Sequence, residues 1–161
     1  MKSLLIKIGR SLVILFAVLI GLLCVFLIMV AVNSSGQEQP FKDDNNQVIP
    51  ASLAEVQDRV INEVAQRLVI RSKDTLNPVL LVVHGGPGGF HNPFLNDHLG
   101  VSVEDLFTVC YWDQRGSGPA YNEHTPDSTI TLEQIVDDGI VVSHYLRQRF
   151  GKEKIYIEGQ S

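Results

Sequence analysis

The sequence predicts an α/β domain with a mainly parallel sheet, placed behind one N-terminal membrane-spanning helix. Three observations predict it: a charge-free apolar run near the N-terminus, several short apolar segments bounded by glycine or proline, and a helical pattern between the last two segments. The chain has 161 residues, of which 45% are hydrophobic, but these residues are unevenly spread. The predicted regions are a basic N-terminus (residues 1–11), a transmembrane anchor (12–32), a polar linker (33–50) and a partial α/β domain (51–161).

The apolar run at residues 12–32 contains no charged residue. At about 1.5 Å of rise per residue, a helix of this length crosses the roughly 30 Å hydrocarbon core of a bilayer. The alternative is a cleaved secretory signal, whose apolar stretch usually has about 7 to 15 residues before a small-residue cleavage site. The longer run, and the poor cleavage site at residues 30–33, favour an uncleaved anchor.

The charges on either side of this run predict its orientation. Lys2, Lys7 and Arg10 precede it, whereas the first charge after it is Glu38. Basic residues stay in the cytoplasm, so the N-terminus is expected there and the α/β domain outside it. The whole chain carries −5 and three of its cations precede the run, so the remainder carries −8. This acidic remainder argues against nucleic acid or anionic lipid as a partner.

Residues 33–50 are polar and nearly free of aliphatic side chains, which predicts a tether that buries too little to fold alone. The two cysteines are Cys24, in the predicted membrane helix, and Cys110, in a predicted strand. They cannot reach one another, so the sequence predicts no disulfide.

Residues 51–71 fit both a helical stripe and strand alternation, and we favour two strands that turn near Asn62 and Glu63. Val79–Val83 is a short, continuous apolar run rich in β-branched residues, which is typical of a strand buried on both faces. Residues 106–112 and 155–158 repeat this pattern.

A helix is predicted between these last two strands. Thr131 and Gln134 have the spacing of a capping box, and Gly151 provides a stop. The apolar residues at helical spacing are Leu132, Ile135, Val136, Val142, Leu146 and Phe150. Strand, helix and strand in this order predict a βαβ unit with a right-handed crossover.

Three segments that follow predicted strands carry the candidate chemistry, because open α/β sheets place their ligand sites at strand ends. Residues 84–89 read His-Gly-Gly-Pro-Gly-Gly, and glycines let backbone N–H groups approach a reacting atom, as an oxyanion hole requires. A plain Gly-Pro turn is the simpler alternative. A phosphate cradle is disfavoured because the segment lacks both the P-loop and the dinucleotide-binding glycine patterns.

The second segment, residues 111–118, places Asp113 and Arg115 in a glycine-rich loop. We expect them to pair with each other or with the His84 loop and to hold it in shape, without a role in proton transfer. The third segment runs from a strand into Gly159, Gln160 and Ser161, the first three positions of the nucleophile elbow Gly-x-Ser-x-Gly.

Together, residues 84–88, 112–118 and 159–161 resemble the α/β-hydrolase superfamily, and specifically its proline iminopeptidase group. The resemblance runs from about residue 52 to Ser161. It implies the N-terminal half of an α/β-hydrolase fold, Ser161 as nucleophile, the backbone N–H of Gly86 as an oxyanion donor, and removal of N-terminal residues from short peptides. The residues expected to support the oxyanion loop are His84, Gly85, Pro87, Gly88, Asp113 and Arg115.

The superfamily orders its triad as Ser, then Asp or Glu, then His. All five histidines lie before Ser161, and we interpret them as structural or surface residues; they are His84, His91, His98, His124 and His144. We therefore expect an incomplete enzyme, and the 161-residue chain by itself to be inactive. The alternatives are an ester or other amide hydrolase on the same scaffold, and a non-catalytic membrane-tethered remnant. The expected partner is a short peptide or small molecule, with no metal or organic cofactor.

Overall fold

The computed structural model describes residues 2–33, 36–86, 89 and 102–160. The chain divides between Gln37 and Glu38 into two compact units.

The first unit consists of one long helix, α1, at Lys2–Asn33. Within it, Gly9–Val32 forms a segment of 24 residues that is long and apolar enough to cross a membrane. This segment includes the predicted residues 12–32, and its side chains are exposed on every side of the helix. A secretory signal passes the same test of length and composition.

The second unit is built on a five-stranded sheet in the order β1-β2-β4-β3-β5. The strands are β1 (Leu53–Ile61), β2 (Val64–Ser72), β3 (Val79–Val83), β4 (Thr108–Asp113) and β5 (Tyr156–Gly159). β3 pairs in parallel with both β4 and β5, while β2 pairs antiparallel with β1 and β4. The sheet is therefore mixed rather than mainly parallel, because the N-terminal hairpin joins it in the antiparallel direction.

The ambiguous segment after residue 50 forms two strands, as we predicted. Asn62 and Glu63 connect β1 to β2 and both have positive φ, at 44° and 68°. A two-residue connection with positive φ at both positions matches the right-handed twist of the flanking strands. Asn tolerates this conformation better than most residues, which explains why the chain turns there.

One face of the sheet packs against helix α3 (Leu132–Phe150), which connects β4 to β5. The helix begins at Thr131, whose side chain accepts a hydrogen bond from the Gln134 N–H at 3.2 Å. The Gln134 side chain donates to Asp138 instead of completing the predicted capping box. The helix ends at Gly151, as predicted, in the left-handed conformation with φ of 61°. The core on this face contains Ile61, Leu68, Ile70, Val79, Leu81, Cys110, Trp112, Val142 and Leu146.

The opposite face carries a smaller apolar cluster of Leu80, Val82, Val109 and Tyr111. A short helix, α2 (Val103–Leu106), covers part of it through Val103. All six residues of β4 are buried, as the continuous apolar run predicts for a central strand.

The predicted linker contacts the sheet from Glu38 onward. Arg71 of β2 donates to the Glu38 carboxylate at 2.6 Å, and its guanidinium lies 4.6 Å from the ring centroid of Phe41. The same guanidinium bonds Glu104 at 2.8 Å. Arg71 thus contacts the segment through both an ion pair and an aromatic ring.

Candidate active site

Three strand ends meet at one edge of the sheet. Val83, the last residue of β3, lies opposite Trp112 of β4 and Gly159 of β5 in parallel register. The backbone N–H of Gln160 donates to the Val83 carbonyl oxygen at 3.0 Å. The segments that follow the three strands, which we singled out separately in the sequence, therefore lie side by side.

A cavity of about 540 Å³ opens at this edge. Its walls are the loop at residues 84–86, the loop at residues 114–117, the start of α3 at residues 130–135, and Gln160. Both loops contribute backbone and polar groups, whereas Ile130, Leu132 and Ile135 contribute an apolar wall. The cavity thus combines polar groups with an apolar surface, as binding sites for small organic molecules commonly do.

His84 connects the two loops. Its ring is buried, and its Nε2 accepts a hydrogen bond from the Gln114 N–H at 3.3 Å and lies 3.0 Å from the Ser117 hydroxyl. The Ser117 hydroxyl itself donates to the Gln114 carbonyl oxygen at 2.7 Å, and the His84 Nδ1 lies 3.4 Å from the Gly85 carbonyl oxygen. The Gln114 side chain also donates to the His84 carbonyl oxygen at 3.0 Å. His84 thus forms a clamp between the two loops.

Gly86 lines the cavity with φ of +65°. Glycine adopts this left-handed conformation without strain, and a side-chain-bearing residue does not. Its backbone N–H has no hydrogen-bond partner among the residues that the structure describes. An oxyanion donor requires a backbone N–H that can bond the substrate oxygen.

Arg115 has a partner that the sequence did not predict. Its guanidinium forms a two-point ion pair with Asp138 of α3, with Nε–Oδ2 at 2.6 Å and a second nitrogen to Oδ1 at 2.8 Å. Both side chains are almost completely buried. Asp113, which we considered as the partner, is buried at the end of β4.

Gln114 and Ser117 link the loop at residues 114–117 to His84. Asp138 had a signal in the sequence that we did not use. It lies three residues after Ile135 and four before Val142, on the apolar face of α3. A charge there must find a buried partner.

Several predicted site residues lie outside the described part of the chain: Pro87, Gly88 and Ser161, together with His91 and His98. His124 is exposed in a loop, and His144 lies on α3, where it lines a separate apolar cavity.

Cys110 is fully buried in β4, and burial raises the pKa of its thiol, which disfavours the reactive thiolate. Within the described ranges, no group of three or more His, Cys, Asp or Glu side chains is arranged to hold a metal ion.

The sheet order and the strand-end cavity define the class of protein: this is an α/β-hydrolase fold. No family model matches the chain. A probable aminopeptidase of Bacillus subtilis (strain 168) is 36% identical over 110 residues, which is 68% of this chain. The crystal structure of a proline iminopeptidase-related protein from Thermus thermophilus is similar over 67% of this chain, with a TM-score of 0.53 and 26% identity.

The chain is therefore a relative of the aminopeptidases and proline iminopeptidase-related proteins within the α/β-hydrolase superfamily, as its motifs predicted. It spans about a third of the length of these relatives, 34% of the Bacillus protein and 36% of the Thermus protein.

Proposed function

We propose that this chain carries the nucleophile and half of the oxyanion hole of a membrane-anchored serine hydrolase, an aminopeptidase of the proline iminopeptidase type. One observation carries the proposal: the Gln160 N–H bonds the Val83 carbonyl, so the residue before Ser161 lies next to the loop of His84, Gly85 and Gly86. A serine hydroxyl at position 161 and the Gly86 N–H then serve one reacting carbonyl group.

In this mechanism the Ser161 Oγ attacks the carbonyl carbon of the substrate while a base takes the hydroxyl proton. The carbonyl oxygen becomes an oxyanion and accepts a hydrogen bond from the Gly86 N–H. The tetrahedral intermediate then breaks its C–N bond, the amine leaves with the proton, and water hydrolyses the remaining acyl ester.

The base is not expected among the three histidines that the structure describes. His84 is engaged in the clamp between the loops, and His124 and His144 lie away from the strand-end cavity. We expect the base and its carboxylate C-terminal to Ser161, in the order that is typical of this superfamily.

The substrate class rests on the relatives. The Bacillus relative is named a probable aminopeptidase and the Thermus protein is proline iminopeptidase-related. We therefore propose that the substrate is a short peptide with a free N-terminus. An ester or another amide is the alternative on the same scaffold, because the described residues of the cavity do not discriminate between these bonds.

The test uses the protein encoded by the complete gene, purified in detergent. We expect it to release nitroaniline from proline 4-nitroanilide, and S161A to lose this activity while it keeps its circular dichroism spectrum. N-acetyl-proline 4-nitroanilide should be cleaved poorly, because acetylation removes the free amine. The proposal is contradicted if S161A still hydrolyses these amides, or if the wild-type protein hydrolyses neither of them. Ser161-dependent cleavage of 4-nitrophenyl acetate alone supports the ester hydrolase.

The membrane anchor is also a proposal, supported by the apolar segment Gly9–Val32 and by the preceding cations Lys2, Lys7 and Arg10. We expect the N-terminus in the cytoplasm and the hydrolase domain outside it. The protein should remain in the membrane pellet after carbonate extraction, and its intact mass should include residue 10. A mature protein that begins after residue 32 supports a cleaved signal instead.

A further inference from the structure

A cluster of polar side chains surrounds the buried carboxylate of Asp138, and one of its members, Arg115, also lines the cavity. The Asp138 cluster consists of Asn62, Gln66, Trp112, Arg115 and Asp138. Its members come from the β1–β2 turn, β2, the end of β4, the following loop and α3. It joins elements that are distant in sequence, since Gln66 and Asp138 are 72 positions apart.

The Asp138 carboxylate is fully satisfied. Oδ2 accepts from Arg115 Nε and Gln66 Nε2, both at 2.6 Å. Oδ1 accepts from Arg115 and Asn62 at 2.8 Å and from Gln134 at 3.2 Å. Five donors around one buried carboxylate hold it in one position.

A buried ion pair of this kind contributes little net stability compared with apolar residues of similar volume, because both charges are removed from water. The pair nevertheless requires one specific arrangement of its two side chains. A buried two-point pair fixes the direction of the guanidinium, and Arg115 belongs to the loop that lines the cavity. The cluster therefore acts more on loop position than on the free energy of unfolding.

The loop transmits this constraint to the oxyanion segment. Gln114, next to Arg115, donates its N–H to His84 Nε2, and Ser117 lies within hydrogen-bond distance of the same nitrogen. His84 is followed by Gly85 and Gly86. A continuous chain of contacts runs from Asp138 on α3, through Arg115 and Gln114, to His84, two residues before the proposed donor Gly86.

We propose that Asp138 is a positioning residue: through Arg115 it holds the loop at residues 114–117 so that Gln114 and Ser117 fix His84 and, with it, the N–H of Gly86. This inference rests on the proposed function for its catalytic consequence, but not for its structural one. Asp138 itself contacts neither substrate nor nucleophile.

The test compares D138N with D58N in the gene-encoded protein. Asp58 and Arg67 form a second two-point pair, at 2.7 and 3.0 Å, but on the exposed side of the hairpin. The first readout is the ¹⁵N chemical shift of His84 Nε2 in histidine-labelled protein, assigned with H84Q. We expect D138N to move this resonance or split it into two tautomers, and D58N to leave it unchanged.

The second readout is kinetic. We expect D138N to lower kcat by about 10²-fold with little change in KM, because a displaced donor affects the transition state more than substrate binding. D58N should keep the wild-type kcat. If D138N fails to fold, the double variant D138L/R115M replaces it, since an apolar pair restores packing without restoring the guanidinium contacts.

The outcomes are separable. A folded D138N or D138L/R115M with an unchanged His84 resonance overturns the inference, whether or not the protein is an enzyme. If wild-type protein shows no Ser161-dependent turnover but His84 responds, the positioning role stands and the proposed function fails. If His84 responds while kcat stays at the wild-type value, the catalytic part of the inference is overturned.

Discussion

The backbone N–H of Gln160 donates to the carbonyl oxygen of Val83, so the end of β5 is hydrogen-bonded to the end of β3. This bond continues the parallel pairing of the two strands by one residue beyond Gly159. Because this bond extends the hydrogen-bonded pairing of β3 and β5, the chain leaves β5 beside the loop at residues 84–86 rather than at another edge of the sheet. The proposed catalytic geometry depends on this one register.

Replacing Gly86 with alanine tests the oxyanion donor. The added methyl group meets no atom of the described residues within 4 Å, so we expect the φ of +65° to cost about 1–2 kcal/mol of stability or to displace the loop. We expect kcat of the gene-encoded protein to fall by about 10²- to 10³-fold. G151A is the matched control, since Gly151 has φ of +61° and open space but ends α3. A similar kcat for G86A and wild type would contradict the assignment.

Truncation of Asp138 measures the cost of leaving the buried Arg115 guanidinium without its partner. D138A leaves the Arg115 charge buried without its partner, and we expect a loss of about 3–5 kcal/mol in the free energy of unfolding. D138L/R115M should recover most of that loss. Trp112 is the only tryptophan in this chain and bonds Gln66 at 2.8 Å, so its fluorescence in the 161-residue chain follows unfolding at the cluster. Equal losses in both variants would contradict this account.

Arg71 should control how residues 38–50 attach to the domain. R71M removes the bonds to Glu38 and Glu104 and leaves the buried Glu104 with the Tyr111 hydroxyl at 3.1 Å. We expect a loss of about 2–3 kcal/mol and faster proteolysis within residues 38–50. E38Q, which weakens only the more exposed bond, should cost less than about 1 kcal/mol. Unchanged proteolysis in R71M would show that other contacts hold the segment.

The pair of Asp58 and Arg67 should make stability depend on pH in acid. The hydrogen bond from Arg67 lowers the pKa of Asp58 below its usual value of 3.8. The stabilisation is therefore fully present above about pH 4 and is lost as the pH falls through the lower pKa of the folded state. At pH 7 we expect D58N to cost less than about 1 kcal/mol, because the pair is largely exposed. The difference from wild type, measured by urea unfolding, should shrink below pH 4.

The arginine of this pair supplies the control. R67M should show the same shrinking difference, since it removes the same bond. A difference between D58N and wild type that stays constant down to pH 2 would contradict the lowered pKa.

Cys110 should be unreactive in the folded protein. It is fully buried, and burial raises the pKa of its thiol. In a C24S variant of the 161-residue chain, we expect no reaction with a maleimide reagent at pH 8 until denaturant is added. C110S, which keeps Cys24, controls for reagent access in the same detergent. Rapid labelling of C24S without denaturant would show that β4 is not the buried central strand.

The sequence of neighbouring residues determined much of the fold. The apolar runs of β3 and β4, the hairpin turn at Asn62 and Glu63, and the two ends of α3 depend on residues a few positions apart, and the structure confirms them. The order of the three glycine-containing motifs was enough to predict the superfamily, which the relatives confirm.

Only the tertiary structure decided which polar groups meet. Arg115 pairs with Asp138, 23 positions away, and Arg71 holds Glu38 and Phe41, because the sheet and α3 bring these groups together. Sequence spacing carries no information on such contacts, since a buried charge requires some partner but does not specify which. The mixed direction of the sheet has the same origin, because the side on which the hairpin joins β4 is set by packing and not by local pattern.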